Sequence, residues 1–345
     1  MTRDATRSDG VGAGDGAGST ITPAPAHVIA PAPGAGDGAG STITPAPAHV
    51  IAPAPGAAGV ASASARAIGA QAAGQAAGEN FPVALRMLPR RYRQHLVAVY
   101  GFARSADDMG DKAPVAERLS LLDELGADVA RLYRPGPGTD GPSLPVVRAL
   151  TPAVAQCAIP EQPFLDLIQA NRQDQVVTRY PAFGDLLAYC RLSANPVGRI
   201  VLHVFAAATP RREELSDLVC TALQLAEHWQ DVAEDLRAGR IYLPIEDMDA
   251  FGVTESDLAA PAAPAAVRAL IEFEVRRAGE LLDQGAPIVG TLRGAARAAV
   301  AGYVAGGRAA LAAIRASGYD VLAGTPKPAK RRVAAELLRT YVTGR

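Results

Sequence analysis

The sequence has no excess of either charge, few cysteines, no long apolar run and little strand-like alternation. Its 345 residues carry a formal net charge of −1, which gives no electrostatic case for nucleic acid as the main partner. Three cysteines, Cys157, Cys190 and Cys220, are an odd number, and none stands in a C-x-x-C pair. That excludes a disulfide framework and a zinc ribbon, and a reducing, cytoplasmic setting fits best. No apolar stretch reaches the ~18 residues of a spanning helix. The two best, 197–209 and 295–316, are interrupted by Arg199, Arg297, Arg308 and Arg315. The first residues lack the apolar core of a signal peptide. Few segments alternate β-branched with polar residues, so an all-β or α/β architecture is not expected.

What is present divides at about residue 65. Residues 12–33 recur unchanged at 34–55 as a 22-residue tandem copy rich in Gly, Ala and Pro. Two apolar-poor copies cannot build a solenoid, so residues 1–65 are expected to be a disordered tail that cannot offset its own ordering entropy. Its GAGDGAG stretch has no preceding strand or following helix, so no dinucleotide site is expected there. From residue 66 to 345, segments rich in Ala, Leu, Arg and Glu alternate with Pro/Gly breaks at 135–145, 160, 181, 196, 210 and 261–264. With 49% hydrophobic residues, this predicts a single all-α domain, a multi-helix bundle around a central cavity.

Two helical segments carry chemistry. In Gln94–Asp111, Leu96, Tyr100, Arg104, Asp107, Asp108 and Asp111 step by three or four and share one face. In Thr221–Leu236, read as one helix, Gln224, Glu227, Asp231 and Asp235 repeat the spacing beside an apolar stripe of Leu225, Trp229, Val232 and Leu236. Like charges four residues apart cost a helix a few tenths of a kcal/mol per pair, and Asp is a poor helix former. A divalent cation is a reason to carry that cost twice: Mg²⁺ takes carboxylate oxygens, keeps several waters and shares them with substrate phosphates. Two acidic faces across a cavity would hold Mg²⁺ around a diphosphate.

The segments GENFPVAL (78–85), YGFARSADDMGD (100–111), YCRLSANPVG (189–198), QLAEHWQDVAEDLRAGRIYLP (224–244) and SGYDVL (317–322) resemble, in the same order, motifs of the squalene/phytoene synthase family. The resemblance implies an all-α isoprenoid synthase acting on prenyl diphosphates. It implies Mg²⁺ ligands at Asp107, Asp111, Asp231 and Asp235, with Glu227 beside them and Asp108 as an extra carboxylate behind. Arg104 is expected to contact diphosphate, Gln224 to lie on the polar face, and Arg240 and Tyr242 to close over the site. Tyr100 and Tyr189 match cavity-facing tyrosines. Asn80 and Phe81 stand where the family usually has a substrate-contacting Ser-Phe pair.

Asn80-Phe81-Pro82 and the Ser193–Gly198 stretch, with Asn195, are similar to the hydroxysqualene synthase branch of bacterial hopanoid pathways. That branch implies presqualene diphosphate as substrate, water as co-substrate and no nicotinamide. It also implies other hopanoid-pathway enzymes as partners and peripheral contact with the inner membrane face for the apolar product. The sequence departs from the family at three points. Glu227 replaces a usual Asn, His228 a usual Phe, and Lys112 follows Asp111 where an acid is common. His228 is expected to pack or to lie at the surface, off the ligand face. Two other readings stay open: a head-to-head prenyl transferase of the presqualene diphosphate or phytoene synthase type, and a non-catalytic assembly subunit.

Overall fold

The computed structural model of the chain describes residues 63–66, 68, 88–134 and 141–345. Most of the expected tail, with both repeats, and Asn80 and Phe81 lie outside the described residues. Residues 63–65 are helical and Ala65 is fully buried in the core, so the helical part begins before the expected boundary at 66. Among those described there are helices and turns and no strand, as the all-α reading requires. No helix is long and apolar enough to cross a membrane.

The principal helices are α1 (Arg90–Asp111), α2 (Arg118–Tyr133), α3 (Pro145–Cys157), α4 (Gln162–Gln173), α5 (Phe183–Ser193), α6 (Asn195–Val204) and α7 (Pro210–Gln230). They are followed by α8 (Val232–Arg237), α9 (Ile245–Ala250), α10 (Glu255–Leu258), α11 (Ala265–Gly285), α12 (Ile288–Thr291), α13 (Gly294–Ala316) and α14 (Lys330–Thr343). Several prolines named as breaks do more than interrupt. Pro145, Pro196 and Pro210 sit in the first turns of α3, α6 and α7, where the missing N–H would be unpaired anyway and the fixed φ suits a helix. Thr209 caps α7 by accepting from the Arg212 amide at 3.3 Å.

The chain was expected to run Thr221–Leu236 as one helix. The structure breaks it at Asp231, whose φ of −107° and ψ of 15° leave the helical region. Asp favours helix ends over interiors, and here it ends α7 and starts α8. The apolar stripe survives the break: Leu225, Trp229 and Val232 are buried, and Leu236 packs partly against the core.

Helix α1 buries Leu96, Val99, Phe102, Ala106 and Met109. Phe102 meets Phe164 of α4 edge-on at 5.1 Å, and burial of one such ring contributes about 1.5–3 kcal/mol. Helix α7 runs through the core between α6, α11 and α13, and glycines set how close these helices come. A Cβ on Gly285 of α11 would lie 2.8 Å from the Leu215 carbonyl and 2.9 Å from the Val219 amide of α7. A Cβ on Gly307 of α13 would meet Leu223 at 2.8 Å.

Because the atoms facing Gly285 are backbone, they cannot rotate away. Gly285→Ala is expected to destabilise the protein by about 1–3 kcal/mol, read as a lower urea midpoint with an unchanged slope. An unshifted midpoint would show that α7 and α11 have room to part.

Candidate active site

Helix α1 presents Asp107 and Asp111 to a cleft and turns Asp108 inward. Asp108 is buried and lies 3.0 Å from Arg104 Nε and 2.8 Å from Lys112 Nζ. The third carboxylate of this motif is therefore the counter-ion of the two cations flanking it along the helix. Arg104 Nε is not aligned for a hydrogen bond at that distance. Tyr100, half-buried, lies one turn before Arg104.

Helix α4 supports this end of α1. Asn171 Nδ2 donates to Asp107 Oδ1 at 3.2 Å, and Gln175 Nε2 donates to the Gly110 carbonyl at 3.1 Å. Gly110 leaves room for this contact, since a Cβ would stand 2.8 Å from Asn171 Oδ1 and turn that side chain away from its present place. Arg118 secures the end of α1 by donating to the backbone carbonyls of Asp111 at 2.8 Å and Ala113 at 2.9 Å.

The second acidic motif lies opposite. Gln224 and Glu227 line an apolar cavity of about 190 Å³ between α6, α7 and α13. Its other walls include Val201, Leu202, Val219, Leu223 and Tyr303. Glu227 and Asp231 also line an adjoining cavity of about 390 Å³ that Thr325 and Lys327 border. Thr325 Oγ1 donates to Asp231 Oδ1 at 3.3 Å. The two motifs are joined directly: Arg240, in the segment after α8, donates through Nη1 to Asp111 Oδ1 at 2.9 Å. A turn through Gly239, at φ +84°, brings the Arg240 amide back to the Asp235 carbonyl at 2.9 Å.

Asp174, at the end of α4, is a residue that the search for paired acids passed over. Tyr189 donates to its Oδ2 at 2.8 Å and Tyr242 to its Oδ1 at 3.5 Å. Asp174 is a single acid at a helix end, and no acidic spacing in the sequence marks it. His228 is buried and stacks on Tyr242, with centroids 3.7 Å apart and planes at 14°. It faces Gln224 Nε2 through Nε2 at 3.3 Å. Off the acidic face as expected, it packs in an aromatic group with Tyr180, Tyr189 and Tyr242. Asn195 is placed differently from the expectation of substrate contact. It is buried, and its Oδ1 accepts from Thr221 Oγ1 at 3.0 Å, tying α6 to α7. A first-turn amide beside a hydroxyl on the neighbouring helix satisfies itself there.

The electrostatics reflect crowding. Water reaches Asp107 and Glu227 from the cleft, yet protein surrounds them on the other sides and strips part of their hydration. Burial pushes Asp107 up to about 6, with Asn171 opposing and Asp111 adding. Burial likewise takes Asp174 to about 7, against the Tyr189 hydrogen bond and Arg240. Asp235 also rises to about 7 through burial, with Arg240 opposing. Glu227 is raised by burial and then by Asp231 and Asp107, and Asp231 chiefly by burial. Burial, with help from Arg240, lowers His228 to about 3, so its imidazole is neutral. Among the described residues no three acids, histidines or cysteines close a metal site by themselves. The donor set is nonetheless all carboxylate oxygen and short of counter-charge. That suits a hard cation that keeps waters and shares ligands with a phosphate.

These shifts fix a pH dependence. An unfolded carboxyl titrates near 3.9, so the folded protein holds more protons than the unfolded chain up to about pH 7, and stability falls as pH rises through the folded values. Neutral, buried His228 acts in the opposite direction below its ordinary pKa of about 6.5, so the clear window is about pH 6.5 to 8. The thermal midpoint in EDTA is expected to fall across that window and to recover on adding Mg²⁺ with pyrophosphate, and Asp235→Asn is expected to flatten the fall. A midpoint that climbs with pH there would contradict the crowding.

A family model described as squalene/phytoene synthase matches residues 75–338. A hydroxysqualene synthase from Rhodopseudomonas palustris is 36% identical over 219 residues, 62% of this chain and 72% of the relative. A phytoene synthase from Mycobacterium tuberculosis is 31% identical over 274 residues, 77% of this chain and 88% of the relative. The crystal structure of squalene synthase HpnC from Alicyclobacillus acidocaldarius superposes with a TM-score of 0.66 at 40% identity, covering 74% of this chain and 95% of that one. With the family model spanning most of the chain and an all-α fold shared with a solved synthase, this chain belongs to the squalene/phytoene synthase family of enzymes that process prenyl diphosphates.

Proposed function

We propose that the chain is a Mg²⁺-dependent hydroxysqualene synthase, converting presqualene diphosphate and water to hydroxysqualene and diphosphate. The observation that carries this reading is the placement of two acidic faces, bridged by Arg240 and Asp111, beside an apolar cavity. The 36% identity to a hydroxysqualene synthase supports the branch.

Asp107, Asp111, Asp231 and Asp235, with Glu227 beside them, would hold Mg²⁺, which when bound supplies positive charge to a leaving diphosphate. Arg240 lies between the acidic faces, and its guanidinium is placed to take diphosphate oxygens in place of Asp111. Arg104, aimed by Asp108, adds a second cation on the α1 side. As the carbon–oxygen bond breaks, both electrons leave on the diphosphate, and these fixed charges stabilise them without reorganising. The walls built from Val201, Leu202, Val219 and Leu223 keep bulk water from the carbocation.

Tyr189 and Tyr242 are buried among Tyr180 and His228 and hydrogen-bond Asp174 from two sides. Tyr189 lies one helical turn before Ser193, which lines the cavity. One water oxygen then bonds to carbon and one proton leaves. Asp174, hydrogen-bonded to the Tyr189 hydroxyl, is the buried carboxylate suited to receive that proton through Tyr189.

A head-to-head condensing synthase is the second reading, favoured by the longer alignment to a phytoene synthase. Incubation in H₂¹⁸O with presqualene diphosphate and Mg²⁺, without NADPH, is expected to give hydroxysqualene with one ¹⁸O and no product from farnesyl diphosphate alone. Product from farnesyl diphosphate would move the chain to the condensing branch, and turnover of neither would make it an assembly subunit. Asp107→Ala and Asp231→Ala should each lower turnover by about 10²-fold or more, without lowering the thermal midpoint.

A further inference from the structure

Helix α14 packs on α13 along one side and leaves the other uncovered. Its inner side holds Val333, Leu337 and Thr340. Thr340 is fully buried and accepts from Arg308 Nη1 at 3.1 Å. Arg297 further pins the helix by donating to the Tyr341 carbonyl at 3.1 Å through Nε. The outer side repeats at three and four residues through Arg331, Ala334, Ala335, Leu338, Tyr341 and Val342, all exposed, and Arg345 follows beyond the helix end at Gly344. Leu338 is 67% exposed, Val342 68% and Tyr341 42%, and they form a continuous patch among the exposed large apolar residues.

The charge of this region is as uneven as its hydrophobicity. From 327 to 345 there are six basic residues against one acid, in a chain whose net charge is −1. That acid, Glu336, lies 3.5 Å from Arg339. Lys330 borders one edge of the apolar stripe, Arg332 and Arg339 the other, and Arg331 and Arg345 stand at its two ends. The 14-residue helix is about 21 Å long and 10 Å across. A patch of that size falls well short of the ~800 Å² per partner that a stable dimer buries. A dimer across it would also set two basic clusters against each other. An apolar stripe with cations on every side instead matches a lipid surface with anionic headgroups.

We infer that the outer face of α14 docks this protein onto anionic lipid bilayers, with Leu338 and Val342 entering the interface, Tyr341 at its edge with its ring under Arg297, and Lys330, Arg331, Arg332 and Arg339 meeting the headgroups. The face lies beyond a strap, Thr325 to Lys327, that borders the 390 Å³ cavity beside Asp231. Docking there sets one opening of the site close to the membrane.

The test is co-sedimentation of the full chain with vesicles of phosphatidylglycerol and phosphatidylcholine, or of phosphatidylcholine alone. No substrate is present, so the outcome is independent of the reaction assigned above. Binding is expected only to the anionic vesicles and should weaken with salt. Each basic residue near such a surface is worth about fivefold in partitioning. Lys330→Gln, Arg331→Gln and Arg332→Gln together should therefore lower binding by about 10²-fold. Leu338→Asn with Val342→Asn should lower it as well, and both variants should keep the wild-type thermal midpoint and turnover in detergent. Failure to bind anionic vesicles, or binding untouched by either variant, would overturn the inference. A concentration-dependent dimer abolished by Leu338→Asn with Val342→Asn would give the face to a second copy instead.

Discussion

The rest of the site depends on the partial burial of carboxylates gathered from three places: the end of α1, the end of α4, and the broken helix α7–α8. Among Asp107, Asp111, Asp174, Glu227, Asp231 and Asp235 every resolved shift is upward, with burial the largest cause and neighbouring carboxylates adding to it at most of them. A fold can hold such an arrangement only if its framework is stiff elsewhere. The stiffness comes from close helix packing at Gly285, which faces backbone, and at Gly307, which faces leucine side chains, and from side chains that fasten helix ends, such as Arg118 and Gln175. Arg240 reaches from one acidic motif to the other, which makes it both strut and counter-charge.

Much of this was legible in the sequence. The spacing of Tyr100, Arg104, Asp107 and Asp111 gave a helix ending where α1 ends, because both its apolar and its acidic periods are helical. The stripe of Leu225, Trp229 and Val232 was legible for the same reason. What spacing could not carry was a break in the backbone. A pattern at i and i+4 looks the same whether a helix is continuous or capped midway by Asp231. It could not reveal Asp174 either, since a single acid has no period, and its importance comes from tyrosines contributed by α5 and the segment after α8. Asn195 shows the converse: a polar residue within a strong motif spends its hydrogen bond on the neighbouring helix. The repeats of the tail, with Asn80 and Phe81, lie outside what the structure describes.

His228 illustrates how one departure from a family pattern can be absorbed. An imidazole where Phe is usual would be costly if it ionised, and burial between Tyr242 and Gln224 keeps it neutral. It then behaves as a flat ring with one polar edge, filling an aromatic position while offering Gln224 a partner.

The break at Asp231 has a consequence for timing. A six-residue helix such as α8 has few internal hydrogen bonds, and short elements with little buried surface open at a fraction of the global unfolding free energy. Amide protons of α8 should therefore exchange well before those of α7, although the two are contiguous in sequence. One of the two acidic faces is thus divided between a slow and a fast element. Glu227 stands on the slow element and Asp235 on the fast one, so a local opening of α8 would loosen one end of that face and leave the other in place.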